Sequence, residues 1–386
     1  MKTIRILALH LAYGGIEKAI ISMANLFVER YEVEILSIYK MPDAPAFPLD
    51  ERVKVRYLMD DIPNREQWKA ACRTKNPVAI LREGFRSVKI LLEKKSCAIR
   101  AIRDTRDGVL ISTRPEHNLL LSRYGRDEVL KIAQFHQDHR FEQRYCKAFR
   151  EGYSRIDIFA HLAPSLRDEV GEMMKENTHT KHVFVPNFLE HFPDMSDVTA
   201  REKTIVSVGR LHPGKGFDRL IRIFAKLSKD FPDWTLKIIG DGEERENLER
   251  QIESSALSGR VLLTGKMDSG SLEAELKKAS VFAMSSHSEG VSFVLLEAQS
   301  CGLPLVVFDV RVGAGMVIRD GINGFLIPDG DEDAFAAKLK ELMRSPDLCE
   351  EIGKNAMARA QDFSRENVAR IWFAVLENQV ECEYKR

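Results

Sequence analysis

The 386-residue chain lacks several common signatures, and each gap removes a class of function. Its six cysteines, Cys72, Cys97, Cys146, Cys301, Cys349 and Cys382, show no paired spacing of the zinc or thioredoxin kind, so reduced thiols in a cytoplasmic compartment are expected. No apolar run is long enough to cross a bilayer, and the N-terminal run Ile4 to Leu9, interrupted by Arg5, reads as a first buried strand and not as a signal peptide. Charge of one sign is also missing: 58 Lys and Arg balance 58 Asp and Glu, which excludes the overall basic footprint of a general nucleic-acid binder. There is no G-x-G-x-x-G fingerprint after the first strand, which counts against a nicotinamide oxidoreductase. Nor does an Asp-x-Asp pair stand where it would hold a divalent cation.

What is present is a repeated alternation of short apolar runs and longer periodic segments, the pattern of parallel α/β sheets. Strands are predicted near Ile4–Leu9, Val33–Ile38, Val53–Leu58, Val109–Ile111, Leu130–Phe135, Ile158–His161 and Val183–Val185. A second set falls near Ile205–Val208, Leu236–Ile239, Val261–Leu263, Val281–Met284, Leu305–Phe308 and Phe325–Ile327. The chain is too long for one ordinary core and fits two Rossmann-like doubly wound domains, 1–189 and 204–364, joined by a polar linker at 190–203. In such sheets ligands bind beyond the carboxyl ends of the strands, so the two domains are expected to face a common cleft.

Two segments of the second domain carry chemistry. After the strand ending at Val208 comes Gly209-Arg210-Leu211-His212-Pro213-Gly214-Lys215-Gly216, a glycine-rich loop with two cations that opens a helix. Arg210 offers a planar fork and Lys215 a compact charge, together suited to a diphosphate. Further on, Glu289-Gly290-Val291-Ser292-Phe293-Val294-Leu295-Leu296-Glu297 places a carboxylate on each side of a Ser-capped helix start. The first amides, around Ser292, Phe293 and Val294, are free to face an anion, while carboxylates accept hydrogen bonds from vicinal hydroxyls.

In the first domain, Tyr13-Gly14-Gly15-Ile16-Glu17-Lys18 is a strand-to-helix turn whose glycines permit close backbone approach. His136 directly follows a strand and points to the sheet edge, with His139 three residues on; Arg114, His117 and Asn118 form another loop at that edge. Between Ile62 and Asp107 there are twelve Lys or Arg against five Asp or Glu, a net charge of +7. From Val78 to Ile102 this region has an apolar stripe, Leu81, Phe85, Val88, Leu92 and Ile99, among basic residues. Two readings remain open: a core-facing helix with a solvated basic face, or a helix lying on an anionic membrane or meeting a phosphorylated acceptor.

Taken in order and spacing, Ser207-Val208-Gly209-Arg210, Lys215-Gly216-Phe217-Asp218, Ile239-Gly240-Asp241-Gly242-Glu243, Glu289 to Pro304 and Asp320 to Leu326 resemble the retaining GT-B glycosyltransferases of family four, also called glycosyl transferases group 1. The resemblance is dense from Lys203 to Ile327 and thinner before it. It implies transfer of a hexosyl or N-acetylhexosaminyl group from a nucleoside diphosphate sugar, by family frequency a UDP-sugar, with retention, no metal and no other cofactor. The acceptor it implies is a saccharide or polyprenyl-diphosphate-linked saccharide of cell-surface polysaccharide assembly, met by a cytoplasmic protein that touches the membrane peripherally.

On this resemblance Gly14, Gly15, Gly209, Arg210, Lys215 and Gly290 surround the donor diphosphate. Glu289 takes the hydroxyls of the transferred sugar, Glu297 the ribose, and His136 stands beside the reacting sugar. Arg114, His117, Asn118 and His139 are acceptor candidates. The segment 365–386 is expected to return to the first domain. Where family members often carry Gly-Pro and then an acid, this chain has Gly313-Ala314-Gly315-Met316, which implies altered donor preference or only altered packing. A sugar-nucleotide epimerase and a non-catalytic sugar-nucleotide binder are the competing readings; the first needs extra acid–base groups that the Glu289–Glu297 segment does not require.

Overall fold

Thirteen short runs rich in Val, Ile, Leu and Phe become thirteen strands in the computed structural model, which describes residues 2–42, 44–136, 138–196 and 201–377. Seven form one sheet: β1 (Thr3–Ala8), β2 (Glu32–Tyr39), β3 (Lys54–Met59), β4 (Val109–Ser112), β5 (Leu130–Phe135), β6 (Ile158–His161) and β7 (Lys181–Phe184), in the order β3-β2-β1-β4-β5-β6-β7. Six form the other: β8 (Thr204–Val208), β9 (Thr235–Ile239), β10 (Val261–Gly265), β11 (Val281–Met284), β12 (Leu305–Asp309) and β13 (Gly324–Pro328), in the order β10-β9-β8-β11-β12-β13.

Every pairing is parallel. Parallel strands are covered by helices on both faces, which is why they read as continuous apolar runs. Ile4, Ile6, Leu7 and Ala8 of β1, and Ile205 and Val206 of β8, have no exposure at all. Each Ile, Leu or Val among them contributes about 1.5–3 kcal/mol by leaving water. The strand order reverses between β1 and β4 in one sheet and between β8 and β11 in the other, and each reversal leaves a crevice at the carboxyl ends.

The chain divides into two compact units. One comprises Met1–Phe184 with Ala374–Arg386, the other Val185–Phe373. The residues 190–203, expected as a linker, fall with the second unit; 197–200 lie outside the described residues. Arg201 explains this placement, because its guanidinium donates to the carbonyls of Ala279 at 2.8 Å and Cys301 at 2.6 Å. The last helix is Arg365–Leu376, and the Lys2 ammonium donates to the Leu376 carbonyl at 2.8 Å. The remainder of the expected terminal segment, 378–386 with Cys382, lies outside the described residues. The other five cysteines are free thiols.

The basic region forms one 28-residue helix, Pro77–Asp104. Asn76 caps it by accepting from the Val78 and Ala79 amides at 3.0 and 3.2 Å, and Pro77 fits the first turn because it has no amide to satisfy. The stripe seen in the sequence does not face the core. Val78, Leu81, Phe85, Val88 and Leu92 are between 57% and 76% exposed, while Ile90, Ala98, Ala101 and Ile102 make the buried contact. The core-facing reading of that stripe is therefore corrected: a second, less regular row anchors the helix, and Gly84 brings it against Trp68.

Candidate functional site

In the second unit the loop after β8 and the loop after β11 meet at the switch point. The first runs through Gly209 and a 3-10 turn, Pro213–Lys215, to Gly216, which takes φ +61° and starts the helix Phe217–Leu227. A β-carbon at Gly216 would sit 2.2 Å from the Ser285 carbonyl oxygen, so both conformation and space demand glycine. The loops are joined by hydrogen bonds: Ser285 Oγ donates to the Gly216 carbonyl at 2.8 Å, and the His287 amide to the Gly214 carbonyl at 2.9 Å.

This junction brings Lys215 and Glu289 into an ion pair through Glu289 Oε1. Ser286 Oγ donates to the same oxygen at 2.5 Å. The Glu289 side chain is 9% exposed and that of Lys215 29% exposed, so the pair is sheltered but open to a ligand. Arg210 is exposed and makes no ion pair or side-chain hydrogen bond among the described residues. Its guanidinium remains available.

The helix Phe293–Ser300 follows, with Ser292 at its N-cap in extended conformation. The expected side-chain cap is absent: the Ser292 hydroxyl bonds no helix amide. The turn before it is held differently, by Asn187 Nδ2 donating to the Val291 carbonyl at 2.8 Å. Glu297 is half-buried on this helix.

Sequence reasoning missed the residue that holds the junction together. Arg219 is 3% exposed although it belongs to an apparently amphipathic helix. It donates through Nε to the Ser285 carbonyl, through Nη2 to the Ser286 carbonyl at 2.5 Å, and through Nη1 to Asp329 at 2.7 Å. Its guanidinium carbon also lies 4.0 Å from the Phe308 ring centroid. A buried guanidinium spread over three acceptors and a ring fixes the backbone just before Glu289. The only sequence signal was its position, four residues after Lys215.

In the first unit, the loops after β1 and β4 meet at the other switch point. Gly14 precedes the helix Gly15–Phe27; a β-carbon there would lie 2.0 Å from Glu17 Oε2, whereas the space beside Gly15 is open. Glu17, 3% exposed, accepts from Arg114 Nη2 at 2.6 Å, and His10 Nδ1 stands 3.7 Å from the same carboxylate. Burial lowers the His10 pKa, with Glu17 opposing and Arg114 reinforcing the shift. Glu17 was not anticipated and sets the orientation of Arg114.

Arg114 and His136 line a recess of about 410 Å³ with Thr113, Arg144 and Tyr145. His136 follows β5, its Nε2 is 3.1 Å from Gln134 Oε1, and burial with the nearby Arg114 charge pushes its pKa down to about 4. Arg114 Nε and Thr113 Oγ1 are buried without hydrogen-bond partners. Asn118 and His139 are placed differently from a ligand contact. Both are fully buried: Asn118 accepts from Ser112 and donates to the Gln134 carbonyl at 2.8 Å, while His139 pairs with Glu169 at 3.1 Å and packs on Phe141. His117, 1% exposed, lies inside the helix Pro115–Tyr124 and not in a loop.

Burial keeps His117 neutral, with a pKa of about 4 against 6.5 for a free side chain. Because the folded pKa is the lower one, the unfolded chain takes up the proton first as pH falls. The contribution is complete above pH 6.5 and is lost progressively toward pH 4. His117 alone is expected to remove about 2 kcal/mol of stability by pH 5. Urea midpoints at pH 7.5 and 5 check this, and equal midpoints would contradict it.

Residues 190–359 match the family described as glycosyl transferases group 1. The exopolysaccharide phosphotransferase of Streptomyces coelicolor is 30% identical over 93% of this chain, which spans only 39% of that relative's length. An N-acetyl-D-galactosaminyltransferase of Campylobacter jejuni, named for a PP-undecaprenol-linked saccharide, is 23% identical over 94% of this chain and 95% of its own. Among solved structures, a TarM variant of S. aureus bound to Fondaparinux, alpha-GlcNAc-glycerol and UDP aligns with TM-score 0.78 at 15% identity, covering 97% of this chain and 100% of that one. With its two switch-point sheets and this structural likeness the chain has the GT-B fold, and its residues 190–359 belong to the glycosyl transferases group 1.

Proposed function

We propose that the chain transfers a hexosyl or N-acetylhexosaminyl group from a UDP-sugar to a hydroxyl of a saccharide or polyprenyl-diphosphate-linked saccharide, with retention of anomeric configuration and without a metal. The observation that carries this reading is the Lys215–Glu289 pair at the switch point of the second sheet. An arriving diphosphate competes for the Lys215 ammonium and Arg210 supplies a second cation. Glu289, released from its partner, is left to accept hydrogen bonds from sugar hydroxyls. The amides around Phe293 and Val294 face the same charge, and departing diphosphate is stabilised electrostatically.

Glu297 is assigned to the ribose and His136 to a hydroxyl of the transferred sugar. Glu297→Ala is expected to raise KM for the UDP-sugar tenfold or more and to change kcat little, since the ribose contact is the same in ground and transition states. Initial-rate kinetics check this; a fall in kcat at unchanged KM would move Glu297 into the reacting centre.

The acceptor reading draws support from the Campylobacter relative's name and from the helix Pro77–Asp104. Its exposed Val78, Leu81, Phe85, Val88 and Leu92 are interspersed with Arg82, Lys89, Lys95 and Arg100. Such a face suits the anionic cytoplasmic surface of a membrane. A second copy of the chain would bring like charges together there. Among the described residues no helix is long and apolar enough to cross a bilayer.

A further inference from the structure

Behind the exposed stripe of the helix Pro77–Asp104 lies a second recess of the first unit, about 810 Å³, walled by that helix and by Pro115–Tyr124. Its size is within the roughly 300–1,000 Å³ of small-molecule sites. One wall is apolar, made by Leu91, Ala98, Leu119 and Leu120. Leu91 is also 64% exposed, so this wall runs out to the surface of the helix.

The polar part of the lining is unusual in two respects. His117 lines the recess, is 1% exposed, and has neither Nδ1 nor Nε2 hydrogen-bonded. Buried polar groups nearly always have partners, and a neutral imidazole left with one donor and one acceptor free is what a ligand would complete. The charged lining is also unbalanced: Lys94, Lys95, Arg123 and Arg155 against Glu116 and Glu151. Lys94 stands 3.8 Å from Glu116 and Arg155 pairs with Asp127, but Lys95 and Arg123 have no ion-pair partner among the described residues.

We propose that this recess binds a single-chain lipid phosphate, its chain along Leu91, Ala98 and Leu120 and its phosphate between Lys95 and Arg123, with His117 completing the polar end. It shares Glu116 and Leu119 with the smaller recess that Arg114 and His136 line. A lipid-linked acceptor held by its lipid end in one would present its saccharide to the other. The meaning of the ligand as acceptor rests on the transferase reading; the binding itself does not.

The test is calorimetric titration of the full chain, without sugar nucleotide, with farnesyl phosphate, farnesol and inorganic phosphate. Farnesyl phosphate is expected to bind saturably at one site, and farnesol and inorganic phosphate at least tenfold more weakly. The double variant Lys95→Glu, Arg123→Glu, at two exposed positions where the fold is preserved, is expected to bind farnesyl phosphate at least tenfold more weakly. Equal binding by that variant, no saturable binding by wild type up to millimolar ligand, or inorganic phosphate binding as tightly as the lipid would each overturn the proposal. A second variant, Leu81→Ser with Phe85→Ser, is expected to lose adsorption to phosphatidylglycerol vesicles and keep its farnesyl phosphate affinity. If it loses that affinity as well, the lipid sits on the helix surface and the recess is not the site. Because no donor is present, a failed titration leaves the donor site standing, and an inactive donor assay leaves the titration standing.

Discussion

Lys215→Ala is expected to lower kcat for sugar transfer by about 10²–10³, the loss typical of removing one preorganised stabiliser of developing charge. The ammonium is held against Glu289 by a loop whose glycine cannot be replaced and whose backbone is bonded to the next loop, so its position costs no reorganisation when the diphosphate departs. Removing it also leaves a carboxylate only 9% exposed with Ser286 as its remaining hydrogen-bond partner among the described residues. That adds ground-state repulsion between Glu289 and an anionic donor, so KM is expected to rise as well. Arg210→Ala should lower kcat without that repulsion, because Arg210 has no carboxylate to abandon. Single-turnover rates and KM for both variants separate the two effects. Full activity in Lys215→Ala would remove the leaving-group role.

Arg219→Met is expected to destabilise the second unit by about 3–5 kcal/mol, the cost of breaking a buried charged network. Two buried carbonyls, those of Ser285 and Ser286, lose their charged donor, and each unsatisfied group costs about 1–3 kcal/mol. Met keeps most of the packing volume against Phe308, so the loss reports mainly on polar contacts. Arg219→Lys keeps the charge but not the planar fork and should recover only part of the stability. Chemical unfolding monitored at Trp234, in the second unit's core, reads this directly. A change below 1 kcal/mol would show that the Ser285–Ser286 turn holds itself. Since that turn carries Ser286 to Glu289, activity should fall alongside stability.

The strands were legible because parallel sheets bury both faces, so β8 appears as the unbroken Thr204-Ile205-Val206-Ser207-Val208. Lys215 and Glu289 were legible for a related reason: each lies in the loop that follows a strand at the sheet's carboxyl edge, and those two strands, β8 and β11, flank the reversal. Arg219 was not, since a charged residue on a helix reads as solvated until tertiary structure supplies a carbonyl pair. Asn118 and His139 looked like edge residues, yet their bonds to Ser112, the Gln134 carbonyl and Glu169 are contacts between segments that local pattern does not encode. The stripe on Pro77–Asp104 shows the same limit. Periodicity revealed one apolar row, but only packing decides whether that row or the one through Ile90 and Ala98 meets the core.

The most direct measurement is nucleoside diphosphate release from UDP-, GDP- and ADP-sugars in the presence of EDTA, by wild type and by Arg210→Ala. The account predicts release from a UDP-sugar that persists in EDTA and falls by about 10²–10³ in the variant. Release that stops with EDTA, an unchanged rate in Arg210→Ala, or epimerised donor in place of free diphosphate would contradict it.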